Sequence, residues 1–413
     1  MTSRERILAA WSGQPYDHVP LTTWCFGLPA PPALRWRKPD GREVAYWYSL
    51  RMEHIHTTPQ PWDLDDDLRR ALAWRSLGVD DILDVSVPWS TAPGVTWEDS
   101  VIPAGEAHAH PVLVRDYRTP AGPLRHAVAT TEEDQGEGWV VQPDTVALFE
   151  DLNVPRAVEH AVGGPADVAP IRCLYAPPDD SARAWFAERM ARVRPFAEER
   201  GLAVQAWAAF GMDAAVWLAG VEGAVMMALE EPAAFGELLD IIAEADVARV
   251  ELAASTPGVD LIVQRGWYSA TDFWSPRLFD RLVLPRVREL ADLAHRRGRK
   301  YAYVATTGVE LLGPPLADAG VDVLFFLDPT QDRISLDSAR GLAERGLTLI
   351  GGINATSLVA PDRDRITREV SAAIETLGPT HHFILHPLDA LFPDTPWEGV
   401  EMLIEAWRGC QGL

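Results

Sequence analysis

Cysteine is scarce. The 413 residues hold three, Cys25, Cys173 and Cys410, far apart and odd in number. No CxxC spacing occurs either, so no disulfide framework is implied. Basic residues are the minority, 37 Lys+Arg against 60 Asp+Glu, for a formal net charge of −23. A field of that sign repels phosphate backbones, which makes nucleic acid a poor partner and, more weakly, disfavours a substrate with many carboxylates. Long apolar runs are missing as well: none approaches the ~18 residues of a membrane span, and the opening MTSRERILAAWSGQ has no apolar h-region. A soluble, cytoplasmic protein without a membrane partner is the expectation. There is no low-complexity tract and no repeat of solenoid or propeller period.

What is present is ordinary globular material, 47% hydrophobic and 23% charged, with sixteen tryptophans. From about residue 200 onward, strand and helix patterns alternate. Short apolar or β-branched runs stand at 202–210, 259–265, 300–306, 321–327, 347–353 and 382–385. Helical periodicities fall at 180–199, 213–229, 232–254, 276–297, 336–344, 362–377 and 396–407. Two more strand runs lie upstream, at 19–24 and 80–87. Alternating elements imply a parallel sheet, and six strands plus two predict an α/β fold, a (β/α)8 TIM barrel spanning 1–413. Residues 1–75 read as an N-terminal extension, with an acidic helix start at Asp63–Asp67. Residues 111–130 read as an inserted β-hairpin around a Pro-Gly turn.

Barrel enzymes carry their chemistry at the C-terminal ends of the strands. Those positions are Trp24 and Cys25, Asp84 and Trp89, Trp207, Phe210 and Asp213, and Arg265, Trp267 and Tyr268. Tyr303, Thr306, Thr307, Asp328, Asn354, His386 and Asp389 complete them. The set is rich in rings and carboxylates and holds one Arg. A pocket so lined favours a flat or cationic small molecule, through stacking and cation–π attraction worth about 0.5–2 kcal/mol each; the competing reading is rings that merely plug the mouth. His386 and Asp389, three residues apart at a strand exit, could move protons, or could be a satisfied core histidine and a turn former. His54 with His56, and His108 with His110, have metal-like spacing without partners and read as surface loops. No GxGxxG after a strand, GxxxxGK[ST], HExxH or GxSxG is present.

Several segments carry a resemblance: RERILAAWSGQPYDHVP, YRTPAGPL, FWSPRLFDRLVLPRV, LADAGVDVL, and the closing GGINATSLV…ILHP…PDTPWEGV. They resemble the uroporphyrinogen decarboxylase superfamily, which includes the porphyrin decarboxylase and cobalamin-linked methyltransferases, and they spread over almost the whole chain. The resemblance implies a barrel enzyme and makes a homodimer the expectation. It breaks at the chemistry. The methyltransferases' zinc-binding His-x-Cys falls on Val304 and Thr306, and their final Cys on Asp389, so zinc bound in the family's way is not expected. The decarboxylase's arginine-rich motif is replaced by LTTWCFG after Val19-Pro20; its tyrosine falls on Ala219 and its histidine on Asp389. Uroporphyrinogen is therefore not the expected substrate.

The leading expectation is a metal-independent, cofactor-free acid/base decarboxylase or other lyase acting on a small aromatic or heterocyclic molecule. Asp389 would be the proton donor or acceptor, tuned by burial among rings and by His386. Arg265 would anchor a substrate carboxylate. Trp207, Trp267, Tyr268, Tyr303, Thr306, Thr307, Asp328 and Asn354 would position the substrate. A second reading is methyl transfer from a methylated amine or ether to cobalamin on a corrinoid partner protein. A third is a barrel that binds a ligand without turnover.

Overall fold

Seven apolar runs pair into one parallel sheet because each is flanked by helices that cover its outer face. In this computed structural model, residues 1–49, 62–131, 136–139 and 144–413 are described. The segment holding His54 and His56 lies outside the described residues. The chain opens with helix α1 (Ser3–Trp11), capped by Thr2 in a reciprocal box with Glu5. Four short strands follow, β1 (Phe26–Pro29), β2 (Trp36–Arg37), β3 (Glu43–Val44) and β4 (Tyr46–Tyr48), paired β1 with β4 and β2 with β3. After α2 (Leu64–Ser76) comes β5 (Ile82–Ser86), the first strand of the large sheet.

An antiparallel sheet is inserted next: β6 (Thr96–Ile102), β7 (Val112–Thr119), β8 (Gly122–Ala129) and β9 (Ala157–Glu159). The expected hairpin is β7–β8, but it is the middle of four strands. β6 hides from a burial pattern because all seven of its residues are exposed. Short helix α3 (Val168–Leu174) packs under this sheet, and α4 (Asp180–Arg200) leads back to the large one.

There β10 (Ala203–Ala209), β11 (Leu261–Gln264), β12 (Lys300–Val304), β13 (Val323–Leu327), β14 (Thr348–Asn354) and β15 (Phe383–Leu388) run in sequence order, with β5 beside β10. The connecting helices are α5 (Met212–Ala219), α6 (Val221–Glu230), α7 (Pro232–Ser255), α8 (Pro276–Leu282), α9 (Leu284–Arg296) and α10 (Val309–Asp318). The last four are α11 (Leu336–Ala343), α12 (Thr356–Val359), α13 (Arg363–Leu377) and α14 (Trp397–Gly409).

Several expectations need correction. The run at 19–24 forms no strand. It meets β15 through a single bridge, Leu21 to Leu385, with Thr22 N donating to Leu385 O at 3.0 Å, and the next residue, Cys25, bridges Leu391 in the loop after β15. The observed sheet is thus a seven-stranded, barrel-like curl rather than eight paired strands. The helix expected at 276–297 is two, because Pro285 cannot donate into the preceding turn. The helix expected at 213–229 breaks at Gly220, whose φ of 71° favours glycine. Helix α10 was masked in the sequence by its internal Pro314-Pro315.

Strand alternation sorts the core into two layers. Leu83, Val85, Val204, Tyr301, Tyr303, Leu324 and Leu349 face the helices. Ile82, Ala203, Trp207, Val263, Ala302, Val304, Phe325, Ile350 and Ile384 form the inner cluster. Part of the N-terminal extension enters this interior. Ile7, Ala10 and Trp11 of α1 join the inner cluster beside Ile82, Ala203 and Leu261, all early in their strands, and so floor the barrel. No single described helix is long and apolar enough to cross a membrane.

Candidate active site

At the opposite end of the strands, rings converge. Trp24 stacks on Phe325 at 4.9 Å and meets Phe326 at 5.2 Å, Trp207 at 5.4 Å and His386 at 5.2 Å. Trp267 stacks on Trp207 at 5.9 Å and meets Phe326 at 5.4 Å. Five aromatic side chains and one imidazole therefore share one cluster. Trp207 stands on β10, Phe325 and Phe326 on β13, Trp267 just past β11 and Trp24 before β1, and Trp267 alone of the five rings stands half-buried.

Polar groups lie along the same inner face. Asp84, in the middle of β5, is buried, and its Oδ1 accepts from Gln205 Nε2 and Trp207 Nε1, both at 2.6 Å. Thr22 Oγ1 and His386 Nδ1 are 2.9 Å apart. Ser86 Oγ and Gln205 Oε1 are buried without a hydrogen-bond partner among the described residues. Buried polar atoms left open are costly unless something else pairs with them. Asp84 is thus a carboxylate held against the indole rim of a cluster ring.

Beside the cluster sits a second charged group. Arg265, 2% exposed, donates from Nε to Asp213 at 3.1 Å and from Nη2 to Asp151 at 3.0 Å. Its guanidinium is flanked by Trp267 at 4.2 Å and Trp217 at 4.7 Å. Asp213 also accepts from the backbone N–H groups of Trp267 at 3.3 Å and Tyr268 at 2.9 Å. Burial pushes the Asp213 carboxyl up to about 6, against the pull of Arg265.

The residues singled out from sequence divide accordingly. Trp207, Trp267 and His386 meet in the cluster. Asp389 stands at the exit of β15 but is exposed, so the burial among rings expected of it is not there. Arg265, expected to anchor a substrate carboxylate, has its Nε and Nη2 held by two protein carboxylates, while its buried Nη1 has no hydrogen-bond partner among the described residues. Tyr303 points the other way, because alternation along β12 turns Tyr301 and Tyr303 outward and Ala302 and Val304 inward. Its hydroxyl bonds Ser269 Oγ at 2.5 Å. Tyr268 packs its ring on Phe273 and lies near Asp151, and burial raises its phenol well above the usual range. Asp328 and Asn354 brace each other at 2.5 Å, while Asp328 also accepts from Thr330 N and Gln331 N. Thr306 is half-buried; Thr307 is buried, with its hydroxyl unpaired among the described residues.

Asp84 was visible as a strand-end carboxylate, whereas Gln205, Thr22 and the Phe325-Phe326 pair were not. The available signal was a polar residue interrupting an apolar strand, as in ILDVS and AVQAWAA. A separate cleft of about 880 Å³ is lined by His160, Gly163, Gly220, Met226, Met227 and Glu230 among others. Its lining shares no residue with the ring cluster, and strand-end chemistry places the candidate site at the cluster.

The family's zinc does not fit. The corresponding positions, Val304, Thr306 and Asp389, offer no thiolate or imidazole, and no group of three His, Cys, Asp or Glu suited to a metal occurs among the described residues. His108 and His110 lie in a loop consistent with their surface reading.

Residues 148–410 match the family model described as uroporphyrinogen decarboxylase (URO-D). A solved structure described as a methyltransferase from Methanosarcina mazei covers 99% of this chain and 99% of its own, at 17% identity and a TM-score of 0.56. A 3-keto-D-glucoside 4-epimerase from E. coli covers 56% of this chain and 87% of its own, at 11% identity and a TM-score of 0.34. A comparison with curated proteins finds no match.

Proposed function

Because the chain belongs to the uroporphyrinogen decarboxylase family, we propose that it is an enzyme whose barrel mouth takes a small, flat, positively charged molecule, with Asp84 as the carboxylate that complements it. The observation that carries this reading is the ring cluster of Trp24, Trp207, Trp267, Phe325 and Phe326, joined through the Trp207 indole to a buried carboxylate that accepts from Gln205 and Trp207 among the described residues. Aromatic faces and a fixed negative charge both attract a desolvated cation. We read residues 20–26 as the eighth stave of the barrel, seated between β15 and β5.

The reaction is a decarboxylation or related lyase step. In a substrate whose carboxylate is attached next to a cationic heteroaromatic ring, the C–C bond breaks, CO2 leaves, and the electron pair passes into the ring. A proton then returns to the carbon. Asp84 and the cage stabilise the cation before the step, and His386, beside Trp24 and Thr22, is placed to supply the proton. Asp389 at the exposed rim meets substrate on its way in.

The cage also suits a methylated ammonium, which keeps methyl transfer to a corrinoid protein as the second reading. No step through zinc is drawn for it, since the donors do not fit.

The test is a panel of cationic heteroaromatic carboxylates assayed for CO2 release, with methylated amines assayed for methyl transfer to cob(I)alamin. Turnover in the first assay that falls at least ~100-fold in Asp84→Asn, with the fold intact, supports the reading. Turnover retained in that variant removes Asp84 from the mechanism, and activity only in the cobalamin assay replaces the lyase with the second reading.

A further inference from the structure

We propose that Asp213 is the positioning residue of the mouth: its carboxylate fixes the turn that carries Trp267 and so decides whether the aromatic cage is assembled for a guest. The proposal rests on the reading of the ring cluster as a binding site, and its test separates the two.

The turn Trp267–Ser269 is a single 3-10 turn directly after β11, and none of its own side chains caps it. Its leading N–H groups would be orphans. Asp213 reaches across from the first turn of α5 and takes both: Oδ2 accepts from Trp267 N at 3.3 Å and Oδ1 from Tyr268 N at 2.9 Å. Oδ2 also accepts from Arg265 Nε at 3.1 Å. That bond matters to the ring itself, because the guanidinium lies 4.2 Å from the centre of the Trp267 indole and forms one wall behind it. Trp207 stacks alongside at 5.9 Å, and Trp24 and Phe326 touch its edges. One carboxylate, 0% exposed, therefore holds the backbone of a cage residue and the cation that backs its face.

The groups that face Asp213 come from each neighbouring element. Arg265 at the end of β11 holds it ionised. Asp151, bonded to the far side of Arg265 and to Trp217 Nε1 at 2.7 Å, pushes it toward the acid form. Tyr268 in the turn and Tyr303 on β12 are both neutral phenols held far above their usual range. Burial is the largest influence and brings the Asp213 carboxyl up to about 6. As the acid it no longer attracts Arg265 and offers one good acceptor where three donors converge. The cage is thus assembled above that pH and loosened below it.

The experiment uses the whole chain. Trp267 is isolated optically as the difference between wild-type protein and Trp267→Phe, followed by near-ultraviolet circular dichroism from about pH 8 to about pH 5. A step centred near pH 6 in wild type, absent in Asp213→Asn, is the expected result; no step in wild type overturns the proposal without recourse to any variant. Calorimetric binding of N-methylpyridinium is then compared at about pH 7.5 and about pH 5, where a group titrating near 6 is about one-eleventh ionised, so affinity falls about tenfold in wild type. Asp213→Asn binds weakly and without that pH dependence. Binding with wild-type affinity and profile in Asp213→Asn overturns the proposal. If the optical step is present and carboxylate-dependent but no cation binds at any pH, the positioning role stands and the reading of the mouth as a cation site falls.

Discussion

Asp84 lies in the middle of β5 and Asp389 just past the end of β15, and their surroundings differ. Asp84 is 1% exposed and anchored by Gln205 and Trp207, whereas Asp389 faces solvent at the rim. Replacing Asp84 with Asn is expected to weaken binding of a cationic probe at least ~10-fold, which is about 1.4 kcal/mol, while Asp389→Asn changes it less than twofold, about 0.4 kcal/mol. Paired calorimetric titrations of the two variants check this. Tyr303→Phe, by contrast, loses one buried hydrogen bond to Ser269 and is expected to cost about 1 kcal/mol of stability with probe affinity unchanged, read by denaturant unfolding alongside the same titration. Part of the geometry was legible at the level of residue type: Trp207, Trp267 and His386, singled out at strand ends, share one ring cluster. Tyr303 was misassigned because a strand shifts face with every residue, and an end position does not by itself say which face. The engagement of Arg265 was not legible, because its two carboxylate partners, Asp151 and Asp213, lie 114 and 52 residues away.

Elements were legible where period and turn chemistry agreed, and blurred where proline or glycine cut a continuous apolar stripe. Helices α4, α7 and α13 fall within a residue or two of their periodicity, α4 and α13 capped by Asp179 and Asp362 and α7 opened by Pro232. The stripe of α8 and α9 runs on across Val283, so the pattern alone joins them. Glycine at 351 has a structural reason of its own: with φ of 150°, a Cβ there would collide with the backbone of Leu327 on β13. Gly351→Ala is expected to destabilise the fold by more than ~2 kcal/mol or prevent it from forming, checked by thermal unfolding. The inserted sheet carries a pH signature. His126 on β8 is 1% exposed, and burial, with help from His160 and Arg115, pushes it down to about 3. An unfolded chain binds that proton near 6.5, so the folded state is not penalised above about pH 6.5 and loses stability progressively as pH falls toward 3, by roughly 5 kcal/mol from this group at the limit. Urea unfolding across that range is expected to show the slope in wild type and a shallower one in His126→Leu.

At the scale of the molecule, the floor and the mouth of the barrel are built by opposite means. Below, α1 inserts Trp11 among Ile82, Ala203 and Leu261, a sealed apolar plug whose truncation to Ala costs about 3–5 kcal/mol. Above, rings and a buried carboxylate meet on the inner face of strands from both halves of the sheet. The barrel-like class could be read from alternating runs, whereas the expected strand at 19–24 leaves only isolated bridges, too few to make a strand pattern. The central claim is that the mouth recognises positive charge on a flat molecule. The most direct measurement is calorimetric titration of the wild-type protein at about pH 7.5 with N-methylpyridinium, with toluene as its neutral isostere and with benzoate as its anionic counterpart. The expected result is that the cation binds at least ~10-fold more tightly than toluene and that benzoate does not bind, a difference of about 1.4 kcal/mol that ring faces and Asp84 readily supply. Toluene binding as tightly as the cation, or benzoate binding more tightly than either, would contradict it.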